Sequence, residues 1–282
     1  MLDLNSMFVG VDIGGTKTLV AALNEQGVIK EKLKFPTSKD YPAFLTDVRK
    51  AVAQLKTQDF AAGAVGIPGP GLDREKGISI NLSNLPWRNI PIVKNLEEIC
   101  NCPIAVENDA KLAGLSEAML LKEQYKKVLY ITVSTGIGFA LIANGIIDTS
   151  VGDGGGRTIL LEHEGKMTPW EDFAGGRAIV ARYGKRAEDI TDETTWKAIC
   201  EDLAKGIIHL IAILQPDAIA FGGGVGTYFP RYGDILKTAI ENYRIPLIKM
   251  PVLMEAQRPE EAVIYGCYDL ANQIFPHAKS HK

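Results

Sequence analysis

The sequence predicts an α/β protein built as two similar halves, and three observations carry that expectation. Strand-like and helix-like segments alternate from end to end, the pattern of layered α/β folds. An opening of strand, small-polar and glycine turn, strand, then asparagine turn occurs near the N-terminus and again from Lys127, a separation of about 120 residues that marks an internal repeat of topology. Both openings place glycines in the turn, at Gly14-Gly15 and at Gly136 and Gly138, and a third glycine run, Gly222 to Gly226, follows a later strand.

Residues 9–13 read as a buried strand and 19–23 as its hairpin partner across Gly14-Gly15-Thr16-Lys17. A third strand over 27–35 follows the turn at Asn24. Apolar residues at Phe44, Leu45, Val48, Val52 and Leu55 predict a helix over 41–55. Residues 61–67 return to strand and end in Pro68-Gly69-Pro70-Gly71, a forced loop. A short helix is expected over 93–99, a strand over 103–106, and a helix from Asn108-Asp109 through Leu121 with a capping residue in place. The second half repeats strand 128–133, turn 134–138 and strand 139–143. It continues with a helix over 194–214, a strand at 218–221, a loop at Gly222-Gly223-Gly224, a helix over 229–242, a strand over 246–253 and a final helix over 259–274.

Composition narrows the function. The chain has 282 residues, 46% hydrophobic and 23% charged, with a net charge of -3, which suits a globular protein and argues against a nucleic-acid surface. Its longest largely apolar stretches, such as 207–214, are too short to span a bilayer. The first residues lack the basic start and apolar core of a secretion signal, so cytoplasm is the default expectation. Of four cysteines only Cys100 and Cys102 lie close together, too few for a four-ligand zinc site, and buried reduced thiols are expected.

Consecutive glycines let backbone N–H groups crowd around an anion, because no Cβ blocks the approach. Gly14, Gly15 and Thr16 offer such donors, Lys17 a positive charge, and Asp12 a carboxylate placed to hold a hydrated Mg²⁺. Thr135, Gly136 and Gly138 repeat the device, and Gly222, Gly223 and Gly224 suit a ribose and base. Each turn alone is also an ordinary hairpin or loop; the three together point to phosphate binding. Neither a Walker A loop nor a complete GxGxxG is present. Phosphoryl transfer to an alcohol needs one base for the hydroxyl proton. Asp109, just past a strand at a helix start, is the candidate, with Asn108 beside it as a hydrogen-bonding partner for sugar hydroxyls. The same pair also reads as a helix N-cap.

These residues, taken in order, resemble the ROK sugar kinases of the actin/hexokinase superfamily. Asp12 to Thr18, Val106 to Asp109, Ser134 to Gly138 and Gly222 to Gly226 carry the resemblance. Ile67-Pro68-Gly69-Pro70, Asn84-Leu85-Pro86-Trp87 and Ala174-Gly175-Gly176-Arg177-Ala178-Ile179 extend it over nearly the whole chain. It implies a two-lobed fold of duplicated RNase-H-like design, with an N-terminal lobe over 1–110, a second lobe over 111–258, and a C-terminal helix within 259–282 that rejoins the first. It further implies ATP and Mg²⁺ in the cleft, Asp109 as general base, Asn84 and Asn108 as sugar contacts, Gly69 bordering the sugar, and the homodimers common in the family.

Two departures stand out. The family's Glu-x-Gly-His, whose Glu and His grip sugar hydroxyls, is replaced by 152–161, which contains neither residue. Arg157 and Thr158 are the replacement donors, which would suit an acidic or modified sugar. The cysteine zinc motif is also missing, with 164–173 in its place; Glu162-His163-Glu164 reads as a solvated segment with His163 facing away from both carboxylates. The leading expectation is an ATP-dependent sugar kinase. A sugar- or nucleotide-binding sensor without efficient turnover is the alternative, and polyphosphate is the alternative donor. A repressor would need an added DNA-reading helix-turn-helix, which is not expected with about eight residues before the first strand.

Overall fold

The structure is a computed structural model and describes residues 6–82, 84–243, 246–258 and 261–276. The chain divides into two compact units, 1–116 with 261–282, and 117–260. The division falls inside a helix, after Ser116.

In the first unit, β1 (Met7–Ile13), β2 (Lys17–Leu23) and β3 (Ile29–Pro36) form an antiparallel meander, followed by α1 (Tyr41–Gln54) and β4 (Phe60–Ile67). A small antiparallel sheet follows, β5 (Gly71–Asp73), β6 (Ile78–Asn81) and β7 (Arg88–Ile90), and then α2 (Ile92–Cys100), β8 (Ile104–Asn108) and α3 (Asp109–Leu121). The main sheet has the order β3-β2-β1-β4-β8, with β4 and β8 parallel to β1. Strands β1 and β4 are buried along most of their length, whereas edge strand β3 alternates half-buried Ile29, Glu31, Leu33 and Phe35 with exposed Lys30, Lys32 and Lys34. Lysines along an edge discourage pairing with another chain. Helix α1 starts where the Asp40 carboxylate accepts the Ala43 N–H at 3.0 Å, as an N-cap should.

The second unit repeats the plan. Strands β9 (Lys127–Val133), β10 (Ile137–Ala143) and β11 (Ile146–Ile147) form a meander, and a hairpin of β12 (Leu160–His163) and β13 (Lys166–Pro169) precedes α4 (Trp170–Ala174) and α5 (Gly176–Tyr183). Then come α6 (Glu193–Leu214), β14 (Ala218–Gly222), the single turn α7 (Gly223–Gly226), α8 (Phe229–Glu241) and β15 (Val252–Glu255). The sheet order β11-β10-β9-β14-β15 matches the first sheet position for position, with β14 and β15 parallel to β9. This is the duplicated RNase-H-like arrangement of the actin-like ATPase fold. The chain then returns as α9 (Ala262–Ile274), which packs on β1 and β4 of the first unit.

Helix α9 approaches α3 closely enough to demand glycine. A Cβ on Gly266 would lie 2.0 Å from the Leu112 carbonyl oxygen, and backbone cannot yield as a side-chain tip does. Gly266→Ala is therefore expected to destabilise the protein by about 2–3 kcal/mol and to lower the calorimetric midpoint by roughly 5–10 °C.

Some expectations need correction. The strand expected over 246–253 is confined to Val252–Glu255; Pro251 lacks an N–H, and Leu247 is 94% exposed rather than core. The final helix begins at Ala262, and positions 259 and 260 lie outside the described residues. Gly223-Gly224 belong to a helical turn and not to an open loop. His163 is not solvated: its ring stacks on Phe173 at 4.2 Å and neighbours Asp202, which takes ion pairs from Arg182 and from Lys205 at 3.3 Å. Glu162 and Glu164 are exposed as expected. All four cysteines are buried free thiols.

Candidate active site

The first glycine turn joins β1 to β2. The Gly14 N–H donates to the Lys17 carbonyl at 2.9 Å, and a Cβ on Gly14 would stand 2.8 Å from that same oxygen. Thr37, just past β3, braces the turn: its N–H donates to the Thr16 carbonyl at 3.0 Å and its hydroxyl to the Gly14 carbonyl at 2.8 Å. Among the described residues the N–H groups of Gly15 and Thr16 have no acceptor. They remain available to an anion. Gly15 also makes room for Asn84, whose Cβ would be 2.6 Å from a Cβ there; the turn and the Asn84 segment are thus packed together. Lys17 is exposed, and Trp87 is a core residue, its ring nitrogen donating to the Lys39 carbonyl at 2.9 Å.

Asp12 lies near the carboxyl end of β1, in register with Gly66 of β4, which is in turn in register with Glu107 of β8. Open parallel sheets place ligands at these strand ends. Burial, and then the charge of Asp109, push the Asp12 carboxyl up to about 7, with Lys34 opposing. Burial is the larger cause, and the Asp109 charge adds to it. Asp109 is half-buried at the start of α3, and its Oδ1 accepts the Ala110 N–H at 2.7 Å. Asn108 is buried; its Oδ1 accepts the N–H groups of Ala110 at 3.0 Å and Lys111 at 3.3 Å, and its Nδ2 donates to the Gly69 carbonyl at 3.4 Å. The helix-capping role of Asn108 is thus realised. Gly69 sits at φ +94°, a conformation that favours glycine.

In the second unit the turn between β9 and β10 occupies the equivalent position. The N–H groups of Thr135 and Gly136 have no acceptor among the described residues, matching Gly15 and Thr16 in the first turn. The bracing comes from the segment after α4: Gly176 N–H donates to the Ser134 carbonyl at 2.7 Å and Arg177 N–H to the Thr135 carbonyl at 3.1 Å. A Cβ on Gly176 would lie 2.1 Å from the Ser134 carbonyl oxygen, which accounts for the Gly175-Gly176 pair. Glu171 completes the brace, its Oε2 accepting the Ile137 N–H at 3.2 Å and its Oε1 the Arg157 Nε at 3.1 Å. A Cβ on Gly136 would meet Glu171 Oε2 at 2.3 Å. Gly138 continues into β10, in register with Thr132.

The stretch where Glu-x-Gly-His was expected packs against this turn. Cβ atoms on Gly155 and Gly156 would lie 2.3 Å from the Ile137 carbonyl oxygen and 2.9 Å from the Ile137 Cβ. Thr158 closes its own turn through its hydroxyl, 3.1 Å from the Gly155 carbonyl, and Arg157 is partly committed to Glu171. Of the third glycine run, Gly222 and Gly223 are fixed by packing on Tyr130 and Val133, while Gly224 faces open space. Sequence reasoning missed Thr37, Arg74, Glu107 and Glu171, each of which acts on residues distant in the chain. The local signals were Glu107's place inside the Val106–Asp109 stretch and Glu171's place just before the Ala174–Ile179 motif.

These groups suit a polyphosphate and a divalent cation. Paired amides without acceptors fit phosphate oxygens, and a carboxyl raised by burial and by a neighbouring carboxylate fits a cation that would stabilise its charged form. Among the described residues no three His, Cys, Asp or Glu side chains are grouped to hold a metal by themselves, so any cation at Asp12 would complete its shell with water and phosphate.

Known proteins are similar to this chain over most of its length. The chain is 28% identical to the N-acetyl-D-glucosamine kinase of Mannheimia succiniciproducens, covering 92% of this chain and 97% of that one. It is 28% identical to the fructokinase of Lactococcus lactis subsp. cremoris, over 78% and 80% respectively. The ROK family glucokinase of Streptomyces griseus, solved with glucose and AMPPNP, superposes with a TM-score of 0.77 at 23% identity, over 95% of this chain and all of that one. The ROK family model itself matches residues 8–274, and the chain belongs to the ROK family.

Proposed function

We propose that the chain is an ATP-dependent sugar kinase with Asp109 as its general base. One observation carries this reading: two equivalent turns of a duplicated fold each present a threonine and two N–H groups without acceptors among the described residues, and the strand before the first bears Asp12, whose carboxyl is raised by burial and by the Asp109 charge. In the first unit Gly15 and Thr16 suit phosphate oxygens; in the second, Thr135 and Gly136 do the same and Gly224 suits a nucleoside. Asp12 would hold Mg²⁺, through its water shell. Bound Mg²⁺ would neutralise charge on the transferring phosphoryl group. Asp109 accepts the proton of the attacking hydroxyl, while Asn84 and the Gly69 loop shape the acceptor side. The named relatives act on N-acetyl-D-glucosamine and on fructose, and a hexose or a modified hexose is the acceptor class.

A coupled ADP-release assay with glucose, fructose, N-acetylglucosamine and N-acetylmannosamine, run with ATP and with polyphosphate, tests the reading. ATP-dependent turnover of at least one sugar supports it. The packed Gly154–Gly156 segment, without Glu or His, favours one second reading, a sugar- or nucleotide-binding sensor. Saturable sugar binding with no phosphate transfer to any of the four would establish that instead.

A further inference from the structure

The proposed chemistry leaves unexplained why a carboxylate, Glu107, is buried two residues before Asp109 and paired with the half-buried Arg74. Glu107, one residue before Asn108 on β8, has a side chain only 4% exposed. A carboxylate so enclosed is costly unless it is fully paired. Arg74 pairs it with a fork: Nε donates to Oε2 at 2.8 Å and Nη2 to Oε1. Glu107 Oε1 also accepts the Asn108 N–H at 2.6 Å, so the same oxygen joins the arginine to the residue that caps α3 and precedes Asp109.

Arg74 sits at the turn between β5 and β6, the sheet that leads through β6 to the Asn84 segment. The turn is itself stiffened, since the Lys76 N–H and Nζ reach the Asp73 carboxylate at 3.1 and 3.0 Å. The fork therefore fastens the small sheet to the strand end that bears Asp109. The Asn108 Nδ2 contact with the Gly69 carbonyl, at 3.4 Å, is a weaker second tie. Only a planar guanidinium supplies two parallel donors to one carboxylate; lysine offers a point charge.

We propose that Arg74 is a positioning residue for phosphoryl transfer, its fork on Glu107 setting the Asp109 carboxylate against the acceptor-bearing sheet. The proposal rests on Asp109 being the base. Misplacing a reacting group by about 1 Å costs on the order of 100-fold in rate, so a loosened tether is expected to act on kcat more than on nucleotide binding.

The test uses the full chain, the sugar of the four-sugar panel that is turned over fastest, and one temperature at which circular dichroism shows every variant folded. Arg74→Met is expected to lower kcat roughly 10–100-fold with KM for ATP within about twofold. Arg74→Lys is expected to recover thermal stability without recovering kcat, a split that a merely structural role does not produce. Glu107→Gln keeps an acceptor for the Asn108 N–H and is expected to lose about tenfold in kcat; it and Arg74→Lys decide the matter if Arg74→Met does not fold. The proposal is overturned if Arg74→Lys or Glu107→Gln is folded with kcat within about twofold of the parent. Asp109→Asn, assayed beside them, separates the two ideas. Full activity there sinks the base assignment, whereas loss there with full activity in the Arg74 variants sinks only the positioning role.

Discussion

Asp109→Asn is expected to lower kcat by roughly 10²–10⁴-fold, the usual contribution of a positioned general base. The asparagine oxygen can still accept the Ala110 N–H that Asp109 Oδ1 accepts at 2.7 Å, so the start of α3 survives. That makes Asn a cleaner probe than Ala. The Gly15, Thr16, Thr135 and Gly136 donors are untouched, and the affinity for ATP should change by less than about threefold, because the lost interaction belongs to the transition state. The substitution also removes a charge that helps raise Asp12. Metal-dependent ATP binding should therefore extend to lower pH in the variant while turnover collapses. Stopped-flow or coupled kinetics with parallel calorimetric ATP titrations would read both. A folded variant with more than about a third of the parental rate removes Asp109 from the base role.

The two sheets were legible because their strands alternate with helices and their turns repeat. Residues 9–23 and 128–143 carry one pattern, and the structure gives each the same strand order. The small sheet β5–β7 escaped because its strands have three to four residues, too few to show a period of two against flanking glycine and proline. The apolar run before β15 misled for the opposite reason: Leu247 has the composition of a strand but is 94% exposed, outside the sheet. At the candidate site, the residues whose backbone does the work were readable as glycine. Their braces were not. Thr37 reaches Gly14 across 23 positions, Arg74 reaches Glu107 across 33, and Glu171 reaches Ile137 across 34. No local pattern encodes such contacts. Gly154–Gly156 shows the same limit from the other side, since its sequence reads as the loss of a sugar grip while its backbone packs on Ile137 and Gly138.

Asp12→Asn should make the metal-free protein more stable at neutral pH while removing its metal-dependent activity. Burial and Asp109 raise the Asp12 carboxyl to about 7, whereas an ordinary aspartate titrates near 4. The folded state therefore holds a proton that the unfolded chain releases between those values. The stability this group contributes is fully present below about pH 4 and is lost as the pH rises through about 7. An asparagine carries no such charge. The variant should match the parent near pH 4 and exceed it at pH 8 by on the order of 1–3 kcal/mol. A divalent cation supplies the missing partner, so Mg²⁺ with ATP should raise the parental unfolding midpoint more at pH 8 than at pH 6. Below about pH 7 the proton competes, and apparent metal affinity should fall by as much as tenfold per unit. Scanning calorimetry of both proteins at three pH values, with and without Mg²⁺ and ATP, reads every term. A variant that is no more stable than the parent at pH 8, or that gains as much from the metal, would show that the carboxylate repulsion at this strand end is not the device that draws the cation in.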